Sequence, residues 1–205
     1  GNGGAGYYPT YTGDTFLISG SGCVYGGGVS DYDSVTTINL ASKSLTTNFT
    51  SDVLGGFRFL ETLRLEGNNI TICDTTENKK LTHLYCYITN VNAFDLSENS
   101  LLRVVTISFN NLTSVDFSEN TLLNYINCGY NNLSSLGIDI SNNPLVSFFR
   151  ADNSNLTAVQ NSDILINLDY FGINNGFVQL SGTLTTAGAT AKANLQAKGW
   201  TIVGI

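Results

Sequence analysis

Five side chains have the types that carry nucleophilic or metal chemistry: the single histidine, His83, and Cys23, Cys73, Cys86 and Cys128. Their spacing does not assemble a site. His83 and Cys86 stand three positions apart, and on a strand such residues point to opposite faces, so they form no Cys–His dyad. No Cys-x-x-Cys occurs and no second histidine joins the first, so neither a zinc site nor a redox motif is spelled out. Gly26-Gly27-Gly28 lacks the Lys-Ser/Thr pair and the following helix that a phosphate loop requires. Asp95 and Asp116 recur 21 residues apart, as do Glu98 and Glu119. Aligned carboxylates offer oxygen ligands to Ca²⁺, but they also make an ordinary solvated edge, and the second reading is adopted here. The expectation is a protein that is not an enzyme, with no metal and no cofactor.

The recurrence of the acidic pairs points to a longer period. Leu60-x-x-Leu63-x-Leu65-x-x-Asn68-x-Ile70 sets a frame that returns at Leu81-Leu84-Cys86-Val91, Leu102-Val105-Ile107-Asn110-Leu112, and Leu123-Ile126-Cys128-Asn131-Leu133. Looser copies begin at Val35, Val146 and Leu168, the last through Phe171, Ile173 and Val178. The steps between starts are 25, 21, 21, 21, 23 and 22 residues. This is a leucine-rich repeat pattern. Such coils cannot bury an apolar stripe singly, and they stack so that short strands pair in parallel at roughly 4.8 Å spacing. Seven coils predict a concave sheet on the order of 30 Å long by that spacing.

Further expectations follow from the frame. Asn68, Asn110 and Asn131 follow the strand, where an amide can bond backbone groups of its own coil and the next, with Thr89 and Ser154 as weaker substitutes. Cys86 and Cys128 share position 6 and read as buried small hydrophobes, too far apart to bridge. Cys23 and Cys73 lie outside the frame, and a disulfide between them is open. Coils this short leave little room for helices, so the convex side should be extended or tightly turned. The fold class is mainly β: a leucine-rich repeat solenoid with a parallel concave sheet, a short N-terminal β cap and a C-terminal helix-strand cap. Its divisions are a Gly-rich lead (1–13), an N-terminal cap (14–34) with strands at Phe16-Leu17-Ile18 and Cys23-Val24-Tyr25, seven repeats (35–180), and a C-terminal cap (181–205). In that last cap Thr186 would N-cap a helix from about Ala187 to Lys198, with Gly199 ending it and Trp200–Val203 closing as a strand.

Runs such as LEGNNIT, DFSENTLL, INCGYNNLSSL and DISNNPLV, and the ending AKANLQAKGWTIVGI, resemble the leucine-rich repeat proteins of bacterial cell surfaces and those encoded by their phages. The resemblance spans about residues 35–205. It implies an extracellular or surface setting, with a virion as the alternative, and a chain that binds proteins or glycans.

The outward positions of the strands carry the functional expectation. Position 3 of successive repeats reads His83, Val104, Tyr125, Phe148, Tyr170, and position 8 reads Ile88, Phe109, Tyr130. Tyr85 and Tyr87 stand between the rows, and Arg64, Arg103 and Arg150 border them. Aromatics with arginine are the mixture favoured at interface cores, and a monomer seldom leaves such a patch without use. The predicted ligand-binding set is His83, Tyr85, Tyr87, Arg103, Phe109, Tyr125, Tyr130, Phe148, Arg150 and Tyr170. Its ligand is a protein or a glycan; the competing reading is self-assembly, with copies of the chain packed through the same face or the coil ends. With 9 Lys+Arg against 16 Asp+Glu the net charge is −7, and the pI of about 4.4 disfavours nucleic acid. The charge-free stretch from Asn120 to Ile138 holds too many asparagines to enter a bilayer. Gly1 as the first residue and the absence of Met point to a processed or trimmed chain.

Overall fold

The computed structural model describes residues 17–20, 35–46, 48–134 and 138–205. Strand β1 (Leu17–Gly20) is followed by β2 (Val35–Asn39), a single helical turn α1 (Ser51–Leu54), β3 (Thr62–Arg64), β4 (His83–Tyr85) and β5 (Val104–Thr106). Then come β6 (Val115–Asp116), β7 (Tyr125–Asn127), β8 (Ile138–Asp139), β9 (Phe148–Arg150), helix α2 (Ala158–Phe171), β10 (Phe177–Gln179), helix α3 (Thr186–Ala197) and β11 (Thr201–Val203). Nine strands form one sheet in the order β1-β2-β3-β4-β5-β7-β9-β10-β11. It is parallel from β2 to β11, with β1 antiparallel to β2. The expected strand at Cys23-Val24-Tyr25 lies outside the described residues.

The register repeats without a slip. Ile38, Leu63, Leu84, Val105, Ile126, Phe149 and Val178 lie side by side, and all are buried. A shift by one residue would turn this whole row to solvent, so burial on one face specifies the pairing. Positions 1 and 6 add Leu60, Leu81, Leu102 and Leu123, and Leu65, Cys86, Ile107 and Cys128. The result is one continuous core along the solenoid.

Two buried asparagine ladders tie the coils together. In the first, Asn110 Nδ2 donates to the carbonyls of Cys86 at 2.7 Å and Ile107 at 3.0 Å, while its Oδ1 accepts from the Val91 amide at 3.2 Å. Asn68 and Asn131 repeat the arrangement. The bonds reach back to the preceding coil, not forward as expected, because the amide points toward the strand end already laid down. Ser154 also donates to the preceding coil, at the Cys128 carbonyl, and within its own coil to the carbonyl of Asp152; Thr89 donates forward to Asn110 Oδ1.

The second ladder is on the convex side, in a recurring Asp-x-Ser/Thr-x-Asn. Asp74, Asp95, Asp116 and Asp139 each accept a bond from the amide two residues on, which closes a tight turn. The asparagine that follows is fully buried: Asn120 donates to the carbonyls of Leu96 at 2.9 Å and Asn99 at 3.0 Å, both in the preceding coil. Asn78, Asn99 and Asn143 do the same. The acidic rungs are therefore turn-closing groups, and Glu98 pairs with Lys79. Among the described residues no three His, Cys, Asp or Glu side chains gather as a metal site would need.

The last coil departs from expectation. Leu168 and Phe171 of the expected frame belong to helix α2, and the strand beside β9 is Phe177–Gln179, seven residues further on than the frame placed it. Thr157 caps α2 in a reciprocal box with Gln160, and Gly172 ends it in the left-handed conformation. Asn161, Ile164, Leu165 and Leu168 are buried at helical spacing. Apolar residues at that spacing imitate the repeat over a short window, while the capping pair distinguishes the two. Helix α3 begins at Thr186 with Thr185 as its cap, one residue before the expected cap, and β11 closes the sheet.

Replacing Asn120 by alanine removes two buried hydrogen bonds to carbonyls that each keep one backbone donor, and urea unfolding should show a loss of about 0.5–1.5 kcal/mol for each bond. Asn155→Ala, which removes an exposed bond to Asn132, should change stability by no more than about 0.5 kcal/mol.

Candidate binding surface

After β2, each strand of the concave sheet is three residues long, so two side chains per coil flank the middle one. One row runs Thr62, His83, Val104, Tyr125, Phe148, Phe177 across adjacent strands. Tyr125 stacks on Phe148 with centroids 4.0 Å apart, and Phe148 on Phe177 at 4.8 Å. Phe177 takes the place expected of Tyr170. Tyr170 instead lies on α2, 84% exposed and edge-on to Phe171, and has no part in this face. The other row runs Arg64, Tyr85, Thr106, Asn127, Arg150, Gln179.

Position 8 proves to be a turn and not a strand position. Ser42, Gly67, Ile88, Phe109, Tyr130, Asn153 and Gly182 all have φ between 52° and 112°. Glycine and asparagine adopt this left-handed region cheaply, whereas Ile88, Phe109 and Tyr130 do so at roughly 1–2 kcal/mol each. Their side chains lie on the rim of the concave face, with Ile88 55% exposed. Phe109 and Tyr130 stack at 4.1 Å, which offsets part of that cost by about 0.5–1.5 kcal/mol.

Two arginines are held in matching ways. Arg64 donates through Nε and Nη2 to Glu66 Oε1 and lies 4.5 Å from the centre of the Tyr85 ring. Arg150 donates through Nε and Nη2 to the two oxygens of Asp152 and lies 5.7 Å from that of Tyr130. The guanidinium side chains remain 37% and 29% exposed, while Glu66 and Asp152 are 7% and 4% exposed. Asp152 also accepts from Asn153 and Gln179, and its hydrogen bond to Arg150 raises the arginine further above its ordinary pKa. Gly129 makes room for that carboxylate: a Cβ there would sit 2.7 Å from Asp152 Oδ1.

Between the arginines lies a cleft of about 360 Å³. Tyr85, Tyr87, Ile88, Phe109 and Tyr125 wall it, Thr106, Ser108 and Asn127 floor it, and Arg64 and Arg150 close its ends. Among the described residues two cations and no carboxylate line it, although the chain carries −7. Of the side chains proposed from sequence, Tyr85, Tyr87, Phe109, Tyr125 and Arg150 line the cleft. Tyr130 and Phe148 stack behind Phe109 and Tyr125. His83 and the exposed Arg103 lie beside it and do not line it. The polar floor was not named from sequence; its signal is the small polar residue that recurs at positions 5 and 7.

The thiols take no part. Cys86 and Cys128 face the core, and burial pushes the Cys128 thiol far above its ordinary pKa. Cys73 is a free buried thiol, and its hydrogen bond with Cys86 and its burial raise it well above its ordinary pKa. Cys23 lies outside the described residues.

With the coils, their register and the cleft defined, comparison with known structures is direct. Internalin C2 of Listeria monocytogenes superposes with a TM-score of 0.55 at 17% identity, over 86% of this chain and 83% of that one. The chain has the leucine-rich repeat fold. Two further Listeria monocytogenes structures are similar at lower scores: the functional domain of InlJ, described as including a cysteine ladder (0.47, 15% identity, 74% of this chain), and the internalin InlF (0.46, 16% identity, 83% of this chain). This chain spans 50% of the InlJ domain and 62% of InlF. No protein-family model matches the chain, and no curated protein does. Among the described residues no helix of this leucine-rich repeat chain is long and apolar enough to cross a membrane.

Replacing Ile88 by glycine should raise stability by about 0.5–1 kcal/mol in urea unfolding, because the exposed side chain returns less than the left-handed backbone costs. A loss of stability would show that Ile88 is held by packing stronger than its exposure indicates.

Proposed function

We propose that this leucine-rich repeat chain is a non-enzymatic recognition module whose concave cleft holds a protein or glycan ligand. The observation that carries the reading is the cleft between Arg64 and Arg150. Half-buried tyrosines with the exposed Phe109, a polar floor and preset cations are brought together on a face that no helix covers among the described residues. The backbone strain at Ile88, Phe109 and Tyr130 supports it. Bulky residues at three successive positions where glycine or asparagine fits better indicate that the rim is kept for contact, at the expense of stability. Resemblance of the repeats to those of bacterial surface proteins supports an extracellular or cell-surface setting.

Screening the labelled chain against arrays of glycans and surface proteins tests the reading. Binding to any ligand found should fall at least about tenfold, or about 1.4 kcal/mol, when Tyr87 and Phe109 are both replaced by alanine. Tyr170→Ala should leave it unchanged. Ligands that survive the double replacement, or that depend on Tyr170, would place recognition elsewhere.

A further inference from the structure

The two clamped arginines say more about the ligand. Resting on the reading above, we propose that the cleft takes an extended acidic segment of a protein, laid across the strands with one carboxylate on Arg64 and another on Arg150.

Charge is the first reason. Three of the chain's four arginines, Arg64, Arg103 and Arg150, lie on or beside this face, and among the described residues Arg64 and Arg150 bring the charge to the cleft lining. The carboxylates that hold them are buried, and Oδ2 of Asp152 further accepts from Asn153 and Gln179. Each guanidinium uses Nε and Nη2 on its own carboxylate and keeps Nη1 for an outside acceptor. Because the side chains are already immobilised, a ligand carboxylate meets a fork whose rotamer entropy is already lost.

Spacing is the second. Arg64 and Arg150 stand on β3 and β9, four strand steps apart in the sheet. At about 4.8 Å per step their separation is roughly 19 Å, beyond any single carboxylate and matched by about six steps of extended peptide at 3.3 Å each. The surface between them suits a backbone: Tyr85, Tyr87, Thr106, Ser108 and Asn127 all carry groups that hydrogen-bond an amide, and Phe109 offers an apolar wall. A chain crossing the strands follows the solenoid axis, along which these groups are arrayed.

Fluorescence anisotropy with labelled peptides tests the proposal. The probe is an extended peptide of about seven residues, Asp-Ser-Ser-Tyr-Ser-Ser-Asp, whose end carboxylates match the span. It should bind at least about tenfold tighter than the Asn-ended version and than a version with the two aspartates adjacent. The preference should weaken as salt rises, since both guanidinium groups are partly exposed. Arg150→Gln should abolish it. So should Arg64→Gln combined with Glu66→Gln, which leaves no buried carboxylate unpaired; thermal melts confirm that each variant folds. Equal binding of the Asn-ended peptide, or no binding of the probe, overturns the proposal, as does preference for an oligo-uronate over every peptide. The wider reading fails separately, if array ligands are indifferent to Tyr87 and Phe109.

Discussion

The structure depends on the hydrogen bond from a buried asparagine amide to carbonyls of the preceding coil. A coil of about twenty residues turns its backbone through the core at two corners; the convex carbonyls take one backbone donor within the turn, whereas the concave carbonyls of Leu40, Cys86 and Ile107 rely on asparagine. Left without a donor, each of these would cost about 1–3 kcal/mol. Asn68, Asn110 and Asn131 supply donors at the concave corner, and Asn78, Asn99, Asn120 and Asn143 at the convex one. Since each amide must find the same carbonyls one coil back, coil length and register are tied together.

That constraint produces the surface. When every coil repeats its register, equivalent positions stand in rows one strand spacing apart, and the side chain chosen for one coil meets its counterpart in the next. Tyr125, Phe148 and Phe177 stack for this reason, and so do Phe109 and Tyr130. The same rows set Arg64 and Arg150 at matching positions with their acids two residues on. The cleft is thus a by-product of periodicity, made particular by the few positions at which neighbouring coils differ.

Much of this was legible in the sequence, because period 21 with apolar residues at fixed offsets has few physical realisations. The parallel sheet, the buried positions of Cys86 and Cys128 and the outward row of His83, Tyr125 and Phe148 all follow from it. The failures share a cause: the frame was extended where another local rule prevailed. At Leu168 and Phe171 helical spacing mimicked the repeat, and the capping pair Thr157 and Gln160 outweighed it, which moved Tyr170 off the face and brought Phe177 onto it. At position 8 alternation was carried beyond a three-residue strand into a turn, where φ is positive. The pairing of Arg64 with Glu66 and of Arg150 with Asp152 was hidden because it depends on the bend of the chain after the strand.

The chain is acidic overall, and its cleft carries Arg64 and Arg150, each paired with its own buried carboxylate. The aromatic rows would serve self-assembly equally well if they met each other, so the mass in solution decides between the two. Light scattering coupled to size exclusion, over a wide concentration range, is the most direct measurement. A steady mass near 22 kDa is the predicted result and leaves the cleft open to a ligand. A mass that grows with concentration, and returns to that of a single chain when Tyr87 and Phe109 are replaced by serine, would contradict the account and assign the face to contacts between copies.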